Sequence, residues 1–310
     1  MKAYVPAIFI TLFLQLGTIT GCSSPSNQET QAKEVLDITV SILPQEYFVE
    51  KIGGDRVNVN VMVDPGADEH TYEPKPQQLQ AVSQAKAYIT IGGAFEEAWL
   101  DKIRGINSQL MIIDSGKGVE RLPMIDHEHD HEHENHQETE DKHGDETLDP
   151  HIWLSPRLAK IQAKNIYEGL MKLDPTHQKE YQENLEKFLT EIDQLDAKIK
   201  QNLANVKNRK FIVFHPAWEY FAKEYNLKQI PIEIGGQEPS AAELAKLIEE
   251  AKKEKIKVIF AQPELNNNSA KTIAKEIGGE VLLITPLAPN WSENLLTISE
   301  TFSKVLDKKY

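Results

Sequence analysis

The sequence predicts an α/β protein: two doubly wound parallel-sheet lobes joined by one long rigid linking helix. Three observations carry that prediction. From Asp37 onward, short apolar runs alternate with helical stretches, the pattern of parallel strands connected by crossover helices. The alternation occurs twice, once in each half of the chain. Between the halves an apolar stripe at helical spacing runs from 177 to 204 without interruption.

In the first half, 37–43, 57–63, 87–91 and 110–114 read as strands. The stretches 44–53, 75–85 and 94–105 between them read as helices. In the second half, 210–214, 228–234, 257–261 and 280–285 are strand-like, and 239–254 is helical. Ser240 and Glu243 stand at the spacing of a capping box, in which each side chain bonds the other's backbone N–H. In the joint, Tyr181, Leu185, Phe188, Ile192, Leu195, Ile199 and Leu203 recur every three or four residues, one apolar face of a helix. Such a helix spans roughly 42 Å at 1.5 Å per residue. A single helix laid against both lobes uses this stripe, and so would a coiled-coil dimer. The expected organisation is an N-terminal lobe over 37–172, a linking helix over 173–207 and a C-terminal lobe over 208–310. A stiff connector of this kind limits any opening between the lobes.

The 310 residues, 40% of them hydrophobic, suffice for two lobes with real cores. The formal charge of −14 argues against nucleic acid, which wants a basic face. Residues 126–147 hold ten acids and one lysine, so −9 of that charge lies in one segment. At the start, Lys2 precedes an apolar run that ends in small residues before Cys22, the lone cysteine. This is the layout of a signal peptide over 1–21, with an apolar run too short for a confident membrane span. Small residues directly before Cys22 resemble a bacterial lipobox, which implies lipidation at Cys22; a plain secretory signal with an incidental cysteine is the alternative. The polar residues after it read as a flexible tether over 22–36. The mature chain is therefore expected outside the cytoplasm, anchored to the bacterial cell membrane as a lipoprotein.

The segment 126–136 carries His127, His129, His131, His133 and His136 among acids, with His143 beyond. Its composition is that of a disordered chain, in which no imidazole is held in one geometry. It suits weak binding of several metal ions. Three other histidines are placed differently. His70 follows the strand at 57–63, His151 precedes a helix, and His215 directly follows the strand at 210–214. Ligands of open α/β sheets bind outside the carboxyl ends of strands. Pro65, Pro74, Pro150 and Pro216 flank these histidines, and rigid turns hold a ligand at small entropic cost. The three could meet in a cleft between the lobes.

The stretches "PGADEHTYEP", "DPHIWLSP", "VFHPAWEYFAKEYNL" and "AKTIAKEIGG" resemble signature stretches of the cluster A-I metal-binding solute-binding lipoproteins of ABC importers. The resemblance covers roughly residues 37–308. It implies two α/β lobes bridged by one rigid helix, and metal ligands at His70, His151 and His215. Where many relatives, notably manganese binders, carry an aspartate, this chain has Thr285. A hydroxyl is a poor ligand beside a carboxylate. Three imidazoles suit zinc, whereas manganese favours oxygen-rich sites. By the same resemblance Glu69 is a candidate fourth ligand, with water as the alternative, and Glu238 matches a carboxylate of some manganese-type sites. Zinc importers of the family often carry a histidine-rich loop where 126–147 lies. A collector that passes zinc to the cleft is one reading of it, and a solvated insert with no role in uptake is the other.

The function expected from this resemblance is capture of Zn(II) as transported ligand and its delivery to the permease and ATPase subunits of an ABC importer, by a monomer and without catalysis. A manganese-binding member and a surface adhesin are the alternatives. A zinc hydrolase is a distant one, since Glu69 could act as a base but no H-E-x-x-H motif is present.

Overall fold

The computed structural model describes Met1 and residues 35–124, 148–233 and 236–307. The leader over 1–21, Cys22 and most of the tether lie outside the described residues. So do His127, His129, His131, His133, His136 and His143.

The N-terminal lobe is built from β1 (Leu36–Val40), α1 (Leu43–Gly53), β2 (Val57–Val61), α2 (Pro76–Gln84), β3 (Ala87–Thr90), α3 (Ala94–Ile106) and β4 (Met111–Asp114). Its sheet runs β2-β1-β3-β4, with every pairing parallel. After a 3-10 turn at Ile152–Leu154 come α4 (Pro156–Leu173) and the long α5 (Gln178–Leu203). The C-terminal lobe follows with β5 (Lys210–Val213), α6 (Glu219–Glu224), β6 (Lys228–Pro231), α7 (Ala241–Lys253), β7 (Val258–Ala261), α8 (Asn268–Ile277), β8 (Glu280–Leu283) and α9 (Trp291–Val305). Its sheet, β6-β5-β7-β8, is also all parallel and repeats the winding of the first. Strands β1, β2, β3, β5, β6 and β8 end sooner than their apolar runs, whereas β4 and β7 end where theirs do. Met62 and Val63 still donate to Val40 O and Ser41 O beyond the end of β2.

Local chemistry sets the helix ends. Proline stands in the first turn of α1, α2 and α4, where its missing N–H has no intrahelical partner to lose. Ser240 and Glu243 form the expected capping box, with bonds of 2.7 and 3.3 Å. Gly278 ends α8 in the left-handed region at φ +61°, which a side chain would strain.

All seven residues of the α5 stripe are buried within the chain itself. Phe188 of α5 packs on Phe48 of α1 at 5.4 Å between ring centroids and on Trp291 of α9 at 6.3 Å. Trp291 also meets Phe48 edge-on at 4.9 Å. The stripe is thus satisfied internally, by α1, α4 and α9, and a coiled-coil partner has no face left to cover. Residues 291–305, left unassigned by the strand-and-helix pattern, supply the second side of this packing. Trp291, Leu295, Ile298 and Phe302 are its buried apolar positions.

Candidate metal centre

His70 lies on the loop between β2 and α2. Asp68 shapes that loop, accepting from the His70 backbone N–H at 2.9 Å and from the Thr71 hydroxyl at 3.1 Å. Gln78 of α2 pins the loop to the sheet, its amide donating to Val61 O, Met62 O and Asp64 Oδ1. The His70 side chain keeps 30% of its surface exposed. His151 is fully buried. Asp149 Oδ1 accepts from its backbone N–H at 2.9 Å and bonds its Nδ1 at 2.7 Å. His215, one residue beyond Phe214 at the end of β5, is buried, and its Nδ1 bonds Glu233 Oε2 at 2.7 Å.

These carboxylates decide the tautomers. An ionised carboxylate only accepts, so Nδ1 of His151 and of His215 carries the proton, and Nε2 of each neutral ring is left with its lone pair. Carboxylates behind imidazoles are the usual way of fixing ligand orientation and raising ligand basicity.

The three Nε2 edges converge. His70 Nε2 stands 3.3 Å from His215 Nε2. The ring of His215 lies 4.9 Å from that of His70 and 5.3 Å from that of His151, centroid to centroid. One ligand nitrogen from each of His70, His151 and His215 falls within 4.8 Å of the other two. Glu69 Oε1 lies beside two of them, 3.7 Å from His70 Nε2 and 4.0 Å from His151 Nε2, and groups with Asp68 and His70 rather than with all three histidines. His151 Nε2 and Glu69 Oε1 are both buried, and neither has a hydrogen-bond partner among the described residues. A buried polar atom without a partner costs roughly 1–3 kcal/mol, and two facing one point mark a place built for something else. A zinc ion with nitrogen arms of about 2.05 Å at tetrahedral angles sets its ligands about 3.3 Å apart, the separation of the first pair.

Glu238 is not part of this gathering. Its carboxylate is taken up by the hydroxyl of Ser269, and it is absent from the clustered ligand groups among the described residues. Thr285 is likewise engaged, donating to Glu264 Oε1 at 2.6 Å and accepting from Leu287 N–H at 3.1 Å. Asp149 and Glu233 were not singled out in the sequence. The register offers a signal for the second: Val213 pairs with Pro231, so two residues further His215 comes opposite Glu233. Glu96 was also missed. Burial pushes its carboxyl above the usual range, partly offset by bonds from the Ser41 hydroxyl and from Ile91 and Gly92 N–H. It holds the turn after β3, where Gly92 sits at φ +79°. A cleft of about 330 Å³ opens in front of His70 and His215, bordered by Asp68, Glu97, Leu148 and Glu233. Its carboxylates suit a cation.

Residues 38–309 match the family described as zinc-uptake complex component A, periplasmic. The chain belongs to this family. It is 30% identical over 271 residues to the high-affinity zinc uptake system protein ZnuA of Bacillus subtilis, covering 86% of this chain and 83% of that protein. It is 28% identical to the zinc-binding lipoprotein AdcA of Streptococcus pneumoniae, covering 91% of this chain but 56% of the longer relative. A crystal structure of ZnuA superposes with a TM-score of 0.80 at 45% identity, covering 88% of this chain and all of that one. The laminin-binding protein of Streptococcus agalactiae, described as having adhesin and metal-transporting activity, superposes at 0.75 with 26% identity and the same coverage. Among the described residues, no helix is long and apolar enough to cross a membrane.

Proposed function

We propose that this chain is the extracytoplasmic binding component of a zinc importer, and that it captures Zn(II) between its lobes with His70, His151, His215 and Glu69. The observation that carries the proposal is the pair of buried, partnerless atoms, His151 Nε2 and Glu69 Oε1, facing the His70–His215 pair. Three neutral imidazole nitrogens and one carboxylate oxygen form a four-donor set that zinc accepts and that is poor in oxygen for manganese. The engaged hydroxyl of Thr285 supports the same choice.

His151 and His215 present lone pairs already oriented by Asp149 and Glu233. His70 Nε2 stands 3.3 Å from His215 Nε2, on the side of the site that faces solvent. Two donors are thus held in orientation from behind, and the third reaches the ion from the open side. The relatives named for zinc uptake and zinc binding support zinc as cargo. They also support delivery to the permease and ATPase subunits of an ABC importer. Lipid attachment at Cys22 and action as a monomer complete the reading. With Glu69 taken as a ligand, the site binds rather than catalyses.

Competition titration of the metal-free protein with zinc and with manganese tests this. Zinc is expected to bind tightly at one site that persists when residues 126–147 are deleted, and manganese far more weakly. A tight site that disappears with the deletion would overturn the proposal.

A further inference from the structure

We infer that Tyr220 is a positioning residue for the metal centre, acting on His151 through Asp149. The inference rests on the zinc-site reading above and adds a residue to it. Tyr220 belongs to α6, the short helix that begins four residues after His215. Its hydroxyl donates to Asp149 O at 2.9 Å and accepts from Leu122 N–H at 2.9 Å. Asp149 N–H in turn donates to Leu122 O at 2.8 Å, and Pro123 pairs with Leu148 in an antiparallel bridge. One hydroxyl from the C-terminal lobe therefore closes a ring with two main-chain segments of the N-terminal lobe.

The placement has a direct consequence for the ligands. Asp149 is the residue whose carboxylate holds both the main chain and Nδ1 of His151. Tyr220 stands five residues from His215. The distance between the two buried ligands, one per lobe, is thus set by a short path of named bonds: His151 to Asp149, Asp149 to Tyr220, and Tyr220 along its own chain to His215. Tyr220 is itself buried. Burial pushes its hydroxyl up to about 12, so it remains a donor at any physiological pH. Nothing else about this tyrosine needs a hydroxyl, since a phenyl ring would fill the same packing.

Tyr220→Phe is the test, with Tyr225→Phe as its companion. Tyr225 is buried nearby, but its hydroxyl bonds Asp196 of α5, with no bond to the metal centre. Loss of a partner behind a metal ligand typically lowers affinity 10–100-fold. Tyr220→Phe, one step further out, is expected to weaken zinc about 10-fold, while Tyr225→Phe leaves zinc affinity unchanged. The proton of His151 Nδ1, followed by NMR, is expected to shift in the first variant only. If Tyr220→Phe binds zinc like the parent and the His151 signal stays in place, Tyr220 merely ties Leu122 to Asp149 and the inference falls. If both variants lose affinity equally, the effect is general loosening and the inference also falls. Failure of the underlying zinc site would look different, because the parent protein itself would lack tight binding.

Discussion

The two sides of the proposed metal centre are built by opposite strategies. His151 and His215 are buried, each backed by a carboxylate at 2.7 Å. The segment carrying His151 is also stitched across the lobes. Trp153 donates through Nε1 to Pro286 O at 2.8 Å, Trp291 donates to Trp153 O at 2.7 Å, and the Ser155 hydroxyl reaches Glu224. His70 sits on a loop, partly exposed, with its backbone rather than its ring held by Asp68. A transport site must hold its ion and also let it go. Rigid donors give the first property, and a donor at the surface gives access for the second.

That contrast can be broken most sharply by removing the proposed ligands one at a time. His151→Ala and His70→Ala are each expected to cost zinc affinity more than the 10–100-fold typical of outer partners. Stability is expected to separate them. His151→Ala leaves buried Asp149 without its imidazole, at about 2 kcal/mol, which lowers Tm by about 3 °C in a protein of this size. His70→Ala should leave Tm within about 1 °C, as exposed substitutions do. Equal losses of Tm on thermal scans would erase the distinction between a fixed and an accessible side.

A finer test acts behind the ligands. Asp149→Asn and Glu233→Gln are expected to weaken zinc about 10–100-fold each, with the larger thermal loss at Asp149, which is the more deeply buried. Unchanged affinity in both, by competition titration, would mean that the carboxylates only pack.

The smallest effect lies away from the site, at the entrance to α5. Burial acts to raise the Asp174 carboxyl, but bonds from Thr176, His177 and Tyr181 outweigh it and bring it from 3.8 down to about 2. A depressed carboxylate stabilises the fold above its unfolded value and loses that contribution as pH falls through its folded one. Asp174 therefore contributes fully above about pH 4 and fades toward pH 2. The Tm of Asp174→Asn is expected to approach that of the parent over this window. A gap of constant size would remove Asp174 from the account.

Much of this was legible beforehand because each kind of order has its own period. Alternating strands and helices announced the two sheets, and the three-and-four spacing from Tyr181 to Leu203 announced α5. His70, His151 and His215 stood out because turns and strand ends flank them. What escaped depends on neighbours that are distant in the chain. Glu233 reaches His215 only because β6 lies beside β5. Glu238, close by in sequence, turns instead to Ser269. Tyr220 and Trp291 read as ordinary core aromatics until the lobes are placed together. The residues over 291–305 carry a helical pattern, but the partner that makes use of it is α5.

That last described helix makes one piece of distant parts of the chain. Trp291 wedges against Phe48 and Phe188 and donates to the main chain beside His151. Neither sheet finishes the surroundings of His151 with its own segment, so those surroundings are complete only when α9 has docked against α1 and α5.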